Sequence, residues 1–377
     1  MAEPDTAGGA LRSVSSPSFA QVLAQLKISL IVTTYQAGKV IAVRLDDGKI
    51  NTHFRSFHKP MGCVADASRL TIGGANTVWY LKNVPAVAPK LEPVGKHDAA
   101  YLPRRIHVTG DIDIHEMAWT KHDELWVINT KFSCLCTLDD DNSFIPRWRP
   151  HFVSKLSMED RCHLNGLALE RGELKYVTAL GETDTAGGWR SNKRSGGILM
   201  DVPKNEVLLR GLSMPHSPRL HDGKLWVLES GKGNISRVDL ESRTVNEVAS
   251  VPGFSRGLDF YGPLAFIGLS QVRETATFSG LPLTERLKER TCGVWVVNVE
   301  TGHTVAFLRF ESGVQEIFSV QVLRGITFPE IVPWNDPHMY NSYVLPDEAL
   351  KDVVPPKLPP PRQPEPAYSS EPTGESS

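Results

Sequence analysis

The chain has 377 residues, 41% of them hydrophobic and 22% charged, a globular composition that excludes a disordered tail protein and a collagen-like fibre. With 41 lysines and arginines against 43 aspartates and glutamates the formal charge is -2, so no bulk attraction to nucleic acid or to an anionic membrane is expected. The 5 cysteines are too few and too scattered for a disulfide framework and fit reduced thiols in a cytoplasmic protein. The opening residues carry no basic-then-apolar leader, and no apolar run approaches the ~18 residues of a membrane span.

In chain order, residues 1–25 read as a flexible tail with one helical turn. Residues 29–35 and 39–45 read as strands, and the turn Asp46-Asp47-Gly48-Lys49 leads into a further strand over 50–57. From there a three-part pattern recurs. Openings centred on Gly62-Cys63-Val64, Met117-Ala118-Trp119, Gly166-Leu167-Ala168, Pro218-Arg219-Leu220 and Gly257-Leu258-Asp259 precede apolar runs that start at 69, 124, 173, 224 and 263, and each run is followed by another β-rich stretch. Short β-branched and aromatic strands repeating every ~40–55 residues are the signature of propeller blades rather than of a sandwich.

The ends of the chain supply a sixth blade. The first repeat lacks its opening strand, while residues 315–322 form an opening strand with no successors. The expected architecture is therefore all-β, a single six-bladed β-propeller over 26–330, closed by pairing the C-terminal strand with the N-terminal strands so that no edge of that blade stays unpaired. Residues 331–377 read as a Pro-rich tail, extended over 354–361, with a partner protein as a conceivable ligand.

In a propeller the opening strand of each blade lines the central channel, and its first residues meet at the channel mouth. Here these are His58-Lys59, His115-Glu116, His163-Leu164-Asn165, His216-Ser217, Ser255-Arg256 and Gln315-Glu316. Two readings of His115, His163 and His216 stay open: ligands of a divalent metal such as zinc or iron, or hydrogen-bonded channel linings. Strand alternation offsets His115 from its two partners and threatens to turn it away. Arg256 offers a permanent cation for a carboxylate or phosphate, or else pairs with Glu116 or Glu316. Glu116, Arg256 and Glu316 are the candidate catalytic groups, and Asn165, Ser217 and Arg256 the candidate substrate contacts. Two long loops, 182–194 and 273–290, are expected to cover this mouth.

The runs Thr34-Tyr35-Gln36-Ala37-Gly38-Lys39, His163-Leu164-Asn165-Gly166-Leu167-Ala168, Met214-Pro215-His216-Ser217-Pro218-Arg219 and Pro252-Gly253-Phe254-Ser255-Arg256-Gly257 resemble an uncharacterised, mainly bacterial family of conserved hypothetical proteins. That resemblance brings no activity. More distantly the pattern is similar to the gluconolactonase and NHL-type six-bladed propellers, but their carboxylate and asparagine ligand pattern is missing, so lactone hydrolysis does not carry over. No phosphate-binding loop or dinucleotide fingerprint is present, so no nucleotide cofactor is expected. The function expected is a metal-dependent enzyme acting on a small polar or anionic molecule at the top of the channel, with a non-catalytic binding propeller as the alternative.

Overall fold

The structure, a computed structural model, describes residues 11–271 and 280–353. The expected polyproline stretch at 354–361 and residues 273–279 of the second expected loop lie outside these residues. Six antiparallel sheets form six blades. Their opening strands are Ser319–Arg324 in blade 1, Cys63–Ala65 in blade 2, Ile114–Trp119 in blade 3, Leu164–Glu170 in blade 4, Pro215–His221 in blade 5 and Phe254–Tyr261 in blade 6. Ring closure occurs as expected: Ser319–Arg324 pairs antiparallel with Ile28–Thr34, from Thr33 opposite Ser319 to Ile28 opposite Arg324. Among the described residues no helix is long and apolar enough to cross a membrane.

The core lies between blades rather than within them. One cluster joins Leu30, Val32, Ile41 and Val320 of blade 1 to Phe266, Val294 and Leu308 of blade 6, and another joins Ile128 and Leu135 of blade 3 to Val177 and Met200 of blade 4. Because a sheet alternates its side chains, each blade offers an apolar face to both neighbours, and every fully buried Leu, Ile or Val contributes about 1.5–3 kcal/mol.

Both ends of the ring depart from the sequence reading. The described part of the expected tail, from residue 11 to 25, holds instead a strand, Ser13–Ser15, added to the outer edge of blade 6, and then helix α1, Pro17–Leu26. Proline suits the first helical turn, where the missing N–H has no partner to lose. Phe19 and Leu23, spaced i and i+4, are wholly buried in the blade 1–blade 6 core. At the other end, Pro329–Ile331 adds a parallel strand to the outer edge of blade 2, against Ala99–Tyr101.

That C-terminal strand carries Glu330, whose carboxylate lies 2.7 Å from Arg55 Nη2, 3.0 Å from His53 Nε2 and 3.4 Å from Arg44 Nη1, all on blade 1. Arg44 also stacks over Phe328 at 3.9 Å. Burial works to raise the Glu330 pKa, but the His53 hydrogen bond and the charges of His53, Arg55 and Arg44 outweigh it and hold the carboxyl at about 2. The described residues from 341 to 353 belong to a separate unit, which contains the short helix Asp347–Leu350.

Neighbouring blades are also stitched by polar bonds. Hydroxyls at the ends of second strands donate to a carbonyl of the next blade: Thr33 to Met61 at 2.6 Å, Thr130 to Leu164 at 2.7 Å, Ser270 to Ile317 at 3.1 Å, and Ser230 to Ser255. These buried hydroxyls therefore have their protons already committed, which matters at the channel mouth.

Candidate functional site

The opening strands of blades 3 to 6 each carry an extra residue near the top, shown by register shifts between Ile114 and Met117, Leu164 and Gly166, His216 and Arg219, and Ser255 and Leu258. A β-bulge of this kind re-aims the side chains on either side of it. It removes the alternation problem at His115. All three histidines line one cavity of about 300 Å³ together with Asp113, Arg256, Glu316, Trp189 and Phe318.

In blades 3, 4 and 5 one residue of each bulge turns sideways into the blade interface, which corrects three of the sequence assignments. Glu116 accepts the Leu167 N–H at 2.9 Å and pairs bidentately with Arg219, both contacts at 3.1 Å. Asn165 donates to Pro215 O at 3.0 Å and accepts from Thr178 Oγ1 at 2.7 Å, while Ser217 Oγ accepts the Gly257 N–H at 3.2 Å. None of the three lines the cavity. They join blades, and their polar groups are engaged in those contacts.

His115 and His216 are held in the same way. Asp113 and Met214, two residues upstream, have positive φ of 55° and 48°. Each turns its carbonyl onto the Nδ1 of the following histidine at 3.0 Å. The hydroxyls of Thr130 and Ser230 approach the same Nδ1 atoms at 2.8 Å, and their own protons point to the next blade. Each imidazole is 4% exposed. Burial, followed by the positive charge of Arg256, pushes both far below the ordinary histidine pKa, so both are neutral.

His163 is anchored differently. Its Nδ1 lies 3.0 Å from both oxygens of Asp160, which also accepts the Trp189 indole N–H at 2.9 Å. The ring lies 4.4 Å from Trp189 and edge-on to His115 at 4.7 Å. His163 and Asp160 have positive φ of 52° and 46°, strain that is sustained only where the surroundings over-determine the backbone. Trp189 comes from the 182–194 loop, which thus forms a wall of the cavity as expected.

Arg256 lies over the Phe318 ring at 3.5 Å. Burial lowers its pKa to about 10 against the pull of Glu316 and Asp113, so it remains a cation at neutral pH. Its guanidinium forms no hydrogen bond or ion pair among the described residues, and it faces the cavity. Burial likewise raises the Asp113 carboxyl above its ordinary range, opposed by His163 and Arg256. Asp113, Asp160 and Trp189 are the site residues that the sequence reading missed; an aspartate three residues before His163 was the available signal.

Among the described residues no three His, Cys, Asp or Glu side chains converge as a metal ion requires. The histidines share a cavity without forming a coordination shell. Cys162, next to His163, is buried and burial raises its thiol to about 12, which makes it inert as a nucleophile.

A family model described as Domain of unknown function (DUF4915) matches residues 17–332. The chain belongs to this family. The match bears out the resemblance to an uncharacterised family, and its span takes in helix α1, all six blades and the strand at Pro329–Ile331. No curated protein matches the chain. Among solved structures, a nidogen/laminin complex superposes with a TM-score of 0.50 at 7% identity, covering 79% of this chain and 99% of that chain. A protein of unknown function from Bacteroides caccae gives 0.49 at 10% identity, with the same coverage of 79% and 99%. At 7% identity the likeness to the first of these concerns the fold and not the site.

Proposed function

We propose that the channel mouth of this DUF4915 protein binds a small organic anion through Arg256 and moves a proton on it through His163. The observation that carries the reading is the Arg256 guanidinium, fixed over Phe318, facing a cavity of about 300 Å³ and lacking a partner among the described residues. A cation in a cavity with low-dielectric walls attracts an anion more strongly than one in open water. Phe254, Phe318, Leu180 and Met214 supply the apolar walls usual in small-molecule sites. Asp160 orients His163 as a carboxylate orients the imidazole of a general base, leaving Nε2 for the ligand. No step is routed through a metal.

A panel of small carboxylates and phosphorylated metabolites tests the reading by thermal shift. A ligand at a hundred times its dissociation constant adds about 2.7 kcal/mol, which for a chain of this size is a shift of about 3 °C. Arg256→Met is expected to keep the fold and lose the shift. Equal shifts in both proteins would make Arg256 a structural cation. For a ligand so identified, His163→Gln is expected to keep binding and lose turnover, followed by NMR of the ligand.

A further inference from the structure

Two acceptors in the cavity have no partner, and their state is fixed by the fold. A carbonyl oxygen can only accept a hydrogen bond, so the carbonyls of Asp113 and Met214 at 3.0 Å place a proton on Nδ1 of His115 and of His216. The hydroxyls of Thr130 and Ser230 reinforce this, because their own protons go to Leu164 O and Ser255 O. In a neutral imidazole the other nitrogen is then a bare acceptor. Neither Nε2 has a hydrogen-bond partner among the described residues, although both rings are 4% exposed and line the cavity. Both nitrogens face the cavity, so an occupant that displaces water from them leaves them unmatched unless it presents donors of its own.

We infer that the ligand is a hydroxylated organic anion, whose acidic group meets Arg256 and whose hydroxyls donate to His115 Nε2 and His216 Nε2. The inference rests on the anion-binding reading and narrows it to a substrate class. Hydroxyls suit these positions better than an ammonium group, because Arg256 already disfavours a positive charge at both imidazoles. Thr130 and Ser230 are positioning residues: they touch the histidines, not the ligand.

The test has two measurements. Long-range proton–nitrogen NMR of the histidine rings in the ligand-free protein reads the tautomers directly, with Nδ1–H expected at both His115 and His216. An Nε2–H tautomer at either position would overturn the inference without any ligand. Thermal-shift titration then compares butanoate, 3-hydroxybutanoate, 2,3,4-trihydroxybutanoate and 2-aminobutanoate. The trihydroxy acid is expected to bind roughly tenfold or more tightly than butanoate, since a net hydrogen bond contributes about 1 kcal/mol. Equal affinities across the series would remove the hydroxyl preference and leave the anion site standing. Tightest binding of the amino acid, or one equivalent of zinc shifting both Nε2 resonances, would assign the acceptors to a cation instead. Failure of every carboxylate to bind would sink the anion reading itself.

Discussion

Replacing Glu330 with Gln is expected to cost about 3–5 kcal/mol, the usual penalty when one partner of a buried ion pair is removed and the other is left uncompensated. The side chains of Arg44 and Glu330 are only 6% and 8% exposed, so solvent screens the loss very little. For a chain of this size the melting temperature should fall by roughly 4–6 °C, measured on the full chain. The pH dependence has the same origin. The folded carboxyl sits at about 2 against an ordinary 4.5, so its stabilisation is complete above about pH 4.5 and is lost as the pH falls from there towards 2. A Gln variant that melts like the parent would show that the C-terminal strand holds by its backbone bonds alone.

Acidification should unfold the protein earlier than carboxylates alone require, because of His115 and His216. Both have folded pKa values far below 6.5, through burial first and Arg256 second. Below pH 6.5 the unfolded chain takes up two protons that the folded chain refuses. Stability is therefore full above about pH 6.5 and falls as the pH drops, by up to about 1.4 kcal/mol per pH unit for each ring. At pH 5 the two together amount to at most about 4 kcal/mol. Denaturant titrations at pH 7 and pH 5 measure this, and substitution of either histidine by Asn should reduce the difference by about half. A parent protein equally stable at both values would mean that the rings accept protons in place.

The ring and its mouth were legible because they rest on repetition. Six apolar runs at blade spacing, an opening strand without successors and polar residues at matching offsets all survive without knowledge of contacts. The site was legible only where a residue type stood out at a repeat position, as with His163, His216 and Arg256. Position at a strand opening alone misplaced Glu116, Asn165 and Ser217, because each sits on a bulge, and a bulge depends on the neighbouring blade rather than on local pattern. Asp113 and Asp160 lie in left-handed turns outside any periodic signal. Helix α1 was hidden by its length, since Phe19 and Leu23 complete barely one repeat of a helical stripe, and its stability comes from the two blades beneath it.

The added strands divide the ring into two unequal arcs. Blades 6 and 2 each gain a fifth strand from a chain end, and blade 1 between them is gripped by Glu330. Among the described residues, blades 3, 4 and 5 have four strands apiece, with outer edges at Ile145–Trp148, Glu206–Leu212 and Thr244–Ser250 that no further described strand covers. The three histidines all belong to this unbraced arc, whereas Arg256 belongs to its clamped neighbour. A molecule reaching from Arg256 to His115 would act as a tie rod across the softer half of the wheel. Amide exchange should therefore be fastest in blades 3 to 5 of the empty protein and slow there on loading, even at their outer edges, far from any atom the ligand touches.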